Sequence, residues 1–215
     1  MNLKNLFNMQ HVLDQRIIDK HPELKGQDNL EWKILALQVE LGECANEWRG
    51  FKKWSTDQKP RTFKRVDCPD CKKKGYYRGN PPTDKIKGVH GLGNHWYHCN
   101  TCAGYLVIDK KPLLEEYVDC LHFILSIGIE LGFVDIEIWR LPEESSMKYF
   151  MKCFENINSL YFVYVVKGQV TKEMYEYLFA SFIALGESLG FTREQIEQAY
   201  FEKNAINHNR QESGY

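Results

Sequence analysis

Apolar residues recur along this chain mostly at helical spacing. Leu3, Leu6, Phe7, Val12, Leu13, Ile17 and Ile18 predict an amphipathic helix over residues 2 to 19, closed before His21-Pro22. A second helix is predicted to start at Asp28, read as an N-cap with Glu31 as capping-box partner, and to run through Leu37, Leu41 and Ala45 to about Gly50. Pro112 stands where a first helical turn accepts proline and opens a third helix, which ends at Leu131-Gly132-Phe133 with a glycine C-cap and a following apolar residue. The same ending recurs at Leu189-Gly190-Phe191, and residues 121–133 resemble residues 178–191 weakly. Residues 134 to 146 read as a loop. About Met147 to Lys167 reads as a helix, although Tyr161-Phe162-Val163-Tyr164-Val165-Val166 also fits a strand; no partner strand suggests itself. Thr171 opens a helix to about Ser188, and Thr192 with Gln195 forms a capping box for the last one. The pattern predicts an all-α helical bundle.

Residues 58 to 111 break that pattern with Pro60, Pro69, Pro81, Pro82 and several glycines. They hold Cys68-Pro69-Asp70-Cys71 and Cys99-Asn100-Thr101-Cys102, and two such pairs can place four thiolates on one tetrahedral zinc ion. We therefore expect a helical body of residues 1–57 and 112–215 and a small zinc-ribbon-like β insert at 58–111. The 27-residue spacer, 72 to 98, calls for a loop around Asn80 to Gly93. An Fe-S cluster is a second reading of the four cysteines, and His90, His95 and His98 are alternative ligands or loop residues. A four-thiolate zinc site is closed, so its role is structural. Gly88, Gly91 and Gly93 form no phosphate-binding fingerprint, lacking a strand-to-helix context and a lysine to match.

Charge separates the same two parts. Residues 58 to 111 carry 12 Lys or Arg against 4 Asp or Glu, whereas the whole chain is at −1. Lys72-Lys73-Lys74 with Tyr76, Tyr77, Arg78, Trp96 and Tyr97 could bind a nucleic acid or a protein partner through charge and stacking, or could be a solvated basic hairpin. The first residues lack the apolar core of a secretory signal, and no run approaches about 18 apolar residues. Cys44, Cys120 and Cys153 lie scattered in helical contexts and fit reduced thiols. We expect a cytoplasmic protein that does not enter membranes.

The candidate chemistry lies in acids set inside apolar helices. Glu40, Glu43 and Glu47 share one helical face, and so do Glu116, Asp119 and His122. Each set taken alone reads as a solvated stripe. Together, and with Leu35, Leu37, Val39, Leu41 and Ala45 leaving little room for a separate wet face around Glu40, they predict two helices clasping Mg²⁺ through hard oxygen ligands. Gln10 and Asp14 lie one turn apart; they are solvent-facing residues or, since an amide offers donor and acceptor together, a reader of a pyrimidine edge. Phe51-Lys52-Lys53-Trp54 could stack on a base or touch phosphate. Lys203, Asn204, Asn207 and Arg210 form a plausible clamp for polyphosphate oxygens.

With Glu40-x-x-Glu43, Glu116-x-x-Asp119-x-x-His122 and Lys203-Asn204-x-x-Asn207-His208-x-Arg210-Gln211-x-x-Gly214-Tyr215 in order, residues 1 to about 57 and 112 to 215 resemble the dimeric, all-α dUTPases, within the wider MazG-type nucleoside triphosphate pyrophosphohydrolases. Phage-borne and bacterial members look most similar. The resemblance implies a homodimeric, Mg²⁺-dependent hydrolase of dUTP and dUDP that releases dUMP. It implies Glu40, Glu43, Glu116 and Asp119 as magnesium ligands, with Glu40 or Glu43, the former by preference, polarising the attacking water. It further implies Lys203, Asn204, Asn207 and Arg210 as phosphate ligands, and Gln10, Trp54 and His122 around the nucleoside. The cysteine-rich inset departs from the simplest family pattern. Two other readings stay open: a MazG-type enzyme for another nucleotide, and a zinc-dependent nucleic-acid or repressor-binding protein.

Overall fold

The computed structural model describes residues 1–69, 71, 76–78, 96–99 and 101–213. It divides into two compact units, one of Met1–Pro60 with Leu113–Tyr215 and one of Arg61–Pro112. In chain order the elements are α1 (Leu3–Lys20), a 3-10 turn (Pro22–Leu24), α2 (Leu30–Trp48), β1 (Lys64–Asp67), β2 (Tyr76–Arg78), β3 (Trp96–His98), β4 (Val107–Lys110), α3 (Pro112–Leu131), α4 (Ser146–Lys167), α5 (Lys172–Ser188) and α6 (Arg193–Glu212). The protein is an all-α bundle bearing a small β insert.

The helical unit is built on α3 and α5. Both are buried on nearly every side, which is why their sequences are apolar all round rather than striped. Among the described residues no helix is long and apolar enough to cross a membrane. Two predicted starts are present as read: Thr171 and Thr192 each accept a hydrogen bond from a backbone N–H three residues on, and Gln195 closes the capping box at Thr192; α4 has a cap of the same kind at Ser145, inside the stretch expected to be loop.

The start of α2 differs from expectation. Asp28 accepts from the Leu30 backbone N–H, but the N-cap is Asn29, with no side-chain cap bond. Glu31 does not reach back to the cap; it accepts from Tyr161 Oη at 2.8 Å. A tertiary phenol has taken the oxygen that the local motif would have used. The end of α2 also differs. The left-handed residue is Arg49 (φ 63°), held there by its guanidinium donating twice to the Asp57 carbonyl at 3.0 and 2.7 Å. Gly50 is needed for another reason, since a Cβ there would lie 2.3 Å from the Trp48 ring.

The run Tyr161 to Val166 is helical in α4. Burial follows one face, Tyr149, Phe150, Cys153, Ile157 and Leu160, while Phe162, Val165 and Val166 face outward. Leu35 and Val39 are likewise 61% and 51% exposed, so the expectation of no open face around Glu40 does not hold for the single chain.

The faint similarity within the sequence has a structural counterpart. Tyr117 Oη donates to the Phe182 carbonyl and Tyr175 Oη donates to the Ile124 carbonyl, both at 2.9 Å. Tyr117 packs against Phe191 and Tyr175 against Phe133. A Cβ on Gly186 would meet Tyr117 Oη at 2.5 Å, and one on Gly128 would meet Tyr175 Oη at 2.2 Å. Each corresponding pair of positions is 58 apart, so α3 and α5 are exchanged by an internal two-fold relation. The helices before them match at an offset of 116. Lys33, Ile34, Leu37, Leu41 and Cys44 are buried on α2, and Tyr149, Phe150, Cys153, Ile157 and Leu160 on α4. Gly186→Ala is therefore expected to displace the Tyr117 ring and destabilise the fold by about 1–3 kcal/mol, measured by urea unfolding. An unchanged midpoint would show that the ring can yield freely.

The second unit closes through β1 and β4, antiparallel with Lys64 opposite Lys110 and Asp67 opposite Val107. Arg65 and Asp109 pair across that ladder at 2.9 Å. A second antiparallel ladder joins β2 and β3, with Tyr76 opposite His98. The Lys72-Lys73-Lys74 run, His90, His95, the loop from Asn80 to Gly93 with its glycines, and Gly214-Tyr215 lie outside the described residues.

Candidate active site

α2 places Glu40 and Glu43 one turn apart, and α3 does the same for Glu116 and Asp119. Carboxylate oxygens of Glu40, Glu43 and Glu116 all lie within 4.8 Å of one another, and Glu47 stands outside that group. Asp119 sits beside them and accepts from Lys203 Nζ of α6 at 2.5 Å. Arg210, one of the remaining α6 candidates, also lies near enough to favour the Asp119 charge, and its guanidinium donates to Asn207 Oδ1 at 3.4 Å. Six of the charged residues singled out from sequence, Glu40, Glu43, Glu116, Asp119, Lys203 and Arg210, thus share one locality.

The electrostatics register the crowding. Burial, then the charges of Asp119 and Glu43, push Glu40 up to about 7 against the pull of Lys203. Glu116 is pushed up to about 7 by burial first and then by Asp119, Glu43 and Glu40. Burial also raises Asp119, with Lys203 opposing it. Lys203 with Arg210 does not neutralise four carboxylates, and a hard divalent cation fits the all-oxygen donor set.

These shifts carry a sign. A carboxylate whose folded value lies above its unfolded value keeps its proton longer in the folded state, so stability falls as pH rises through the interval between the two. For Glu40 and Glu116 that interval runs from 4.5 to about 7. In chelator, the melting temperature is expected to be lower at pH 8 than at pH 5.5. The loss should be on the order of 2 kcal/mol, because solvent screens both half-exposed groups. A melting temperature that rises between those pH values would contradict the arrangement.

Beside the acids lies a buried polar network. His122 Nδ1 donates to Gln10 Oε1 at 2.7 Å, which sets its tautomer and leaves Nε2 with a lone pair. That Nε2 is buried and has no hydrogen-bond partner among the described residues, and neither has Asn204 Nδ2. Burial, then the charge of Lys203, pulls His122 down to about 3, so the ring is neutral. Gln10 faces inward: its oxygen also accepts from Tyr200 Oη at 2.9 Å, and its Nε2 donates to Asp14 at 2.7 Å. Asp14 in turn accepts from Ser126 Oγ at 2.6 Å, and burial raises its pKa. Gln10 and Asp14 are thus part of the packed interior and not the solvent-facing pair that their spacing also allowed.

Tyr200 and Ser126 escaped the sequence reading. Tyr200 stacks on the His122 ring at 4.3 Å between centroids. Its one available signal was its place three residues before Lys203 on the same helical face, which core packing explains equally well. Trp54 is 77% exposed in the turn after α2 and meets Phe51 edge-on, in contact with neither the acids nor His122 in the described interactions.

In the smaller unit, Cys68, Cys71, Cys99 and Cys102 are buried, and one ligand atom from each lies within 4.8 Å of the others. The Sγ atoms of Cys68 and Cys99 are 3.7 Å apart and those of Cys71 and Cys102 3.6 Å. Those separations match the edge of a thiolate tetrahedron with Zn–S bonds of about 2.3 Å. Positive φ at Ala103, Gly104 and Leu106 turns the chain back so that the Cys68 amide donates to the Leu106 carbonyl at 2.7 Å. This cluster could hold zinc.

The decisive comparison is with a family model described as dUTPase, which matches residues 2–67 and 106–215. The chain belongs to the dUTPase family. It is a dUTP-hydrolysing enzyme, and enzymes of this family generally use Mg²⁺. The match pauses across residues 68–105, so all four cysteines fall outside the part shared with other dUTPases. No curated protein and no solved structure matches the chain.

Proposed function

We propose that this dUTPase is a Mg²⁺-dependent hydrolase of dUTP and dUDP, acting in the cytoplasm and releasing dUMP by water attack on the phosphate chain. The observation that carries the reading is the convergence of the Glu40, Glu43 and Glu116 oxygens within 4.8 Å, with Glu40 and Glu116 raised to about 7. In this reading Glu40, Glu43, Glu116 and Asp119 hold the metal, which when bound supplies positive charge to the phosphate oxygens. Glu40 takes the proton of the attacking water, a task suited to a base that titrates near working pH. Lys203, Asn207 and Arg210 hold the phosphates, and Asn204 offers its unpaired amide donor to a nucleotide oxygen. The bare Nε2 of His122 accepts the N3–H of uracil. Gln10 acts behind it, fixing the tautomer, and Trp54 closes over the nucleoside from its exposed turn.

The four thiolates of the insert hold a structural zinc ion. The working molecule is a homodimer. Support comes from α2 and α4, where Leu35, Val39, Phe162 and Val165 are each more than half exposed while Gln38 and Asn158 tie the two helices together. Apolar area of that kind is normally covered by a partner.

Product release from dUTP, dUDP, dCTP, dTTP and UTP, each with Mg²⁺ and with chelator, tests the reading. The uracil deoxynucleotides should be turned over in preference to the others, and chelator should stop the reaction. Equal rates on dCTP would favour a related pyrophosphohydrolase with another base preference.

A further inference from the structure

We propose that the second helical pair carries a separate, metal-independent pocket for an uncharged planar ring of the nucleobase or nucleoside kind. The internal two-fold relation identifies the place. At an offset of 58, Glu116 and Asp119 of α3 correspond to Met174 and Tyr177 of α5; at an offset of 116, Glu40 and Glu43 of α2 correspond to Asn156 and Ser159 of α4. Every acid of the first cluster is thereby replaced by a neutral side chain. Those four replacements, with Trp139 and Glu173, line an open cleft of about 390 Å³. That volume falls within the range of about 300–1,000 Å³ usual for small-molecule sites.

The lining decides the class of ligand. Trp139 and Tyr177 are 41% and 39% exposed, so each presents ring surface to the cleft, and Met174 adds a polarizable thioether. Asn156 donates one of its two Nδ2 hydrogens to Ser181 Oγ at 3.0 Å, and that bond fixes the amide. Its carbonyl oxygen is left to accept from a ring N–H. Ser159 can donate or accept. Among the described residues that line the cleft, the one charged group is the carboxylate of Glu173 and none is a cation. A phosphate would be repelled there, and a divalent ion would find one carboxylate where the first cluster offers four. A flat neutral heterocycle with polar edges matches the stacking surfaces and the two hydrogen-bonding groups.

Titration calorimetry of the full chain with 2′-deoxyuridine in chelator tests this. Two binding events are expected. Trp139→Ala combined with Tyr177→Ala should weaken one of them about tenfold or more, the size of a lost stacking contact, while dUTP turnover and the other event persist. Ser159→Arg, at an exposed position, should block the same event sterically without disturbing the core. His122→Ala should remove only the other event, so failure of that arm would count against the reading of the acidic site and not against this pocket. A single event that survives both cleft variants, with circular dichroism showing them folded, would overturn the proposal. So would cleft variants that alter sedimentation but not the isotherm, which would mean that the cleft receives a side chain from a second copy.

Discussion

Glu40→Gln is expected to lower kcat for dUTP by about 10²–10⁴-fold, the usual worth of a positioned general base, while leaving the helical fold intact. The same change should not weaken the metal-free protein at pH 8. Glu40 lies among Asp119, Glu43 and Glu116, and its carboxylate is pushed up to about 7 by burial and by those charges. A neutral amide of the same shape removes that repulsion, so the melting temperature in chelator should stay level or rise as activity disappears. Opposite signs for catalysis and stability mark a residue placed for function. Stopped-flow product release and a thermal melt on one preparation measure both. Loss of activity together with a large loss of stability would assign Glu40 a structural part instead.

The second large effect concerns the insert. Structural zinc sites contribute apparent binding free energies on the order of 10–16 kcal/mol near neutral pH, and small metal-folded segments unfold without the ion. Cys99→Ser should therefore lose the metal and release Arg61–Pro112 from its fold. The helical unit has its own core, from Leu6 to Tyr200, which contains none of the four cysteines. Native mass spectrometry should report one zinc fewer, and limited proteolysis should cut between residues 61 and 112 while far-ultraviolet dichroism keeps its helical signal. A variant that retains the ion, or that loses its helices with it, would contradict this division.

Much of the helical unit was legible because local signals and tertiary packing agree. Thr192 with Gln195, Thr171 and the Gly132 and Gly190 endings act within one turn of the chain. Asp28 and Glu31 show the limit of that logic. Their carboxylates are taken by Tyr164 and Tyr161, which lie 130 or more positions away and leave no local trace. The acids of the site could be picked out because carboxylates amid apolar helix positions are costly without a cation. Their partners could not: Gln10 was visible as an amide, but its role behind His122 depends on Tyr200 and on helix packing. The internal symmetry was faint for the same reason. Its strongest marks, two tyrosine hydroxyls on two backbone carbonyls, spend only single residues at each position.

The proposed function requires acids of α2 and α3 to grip one nucleotide's phosphates through shared divalent ions. A crystal structure with Mg²⁺ and a non-hydrolysable dUTP analogue would decide this. We expect magnesium about 2.0–2.1 Å from oxygens of Glu40 or Glu43 on one side and of Glu116 or Asp119 on the other, with the phosphate chain between the ion and Lys203. Density for the analogue elsewhere, with the four carboxylates metal-free, would rule out that arrangement.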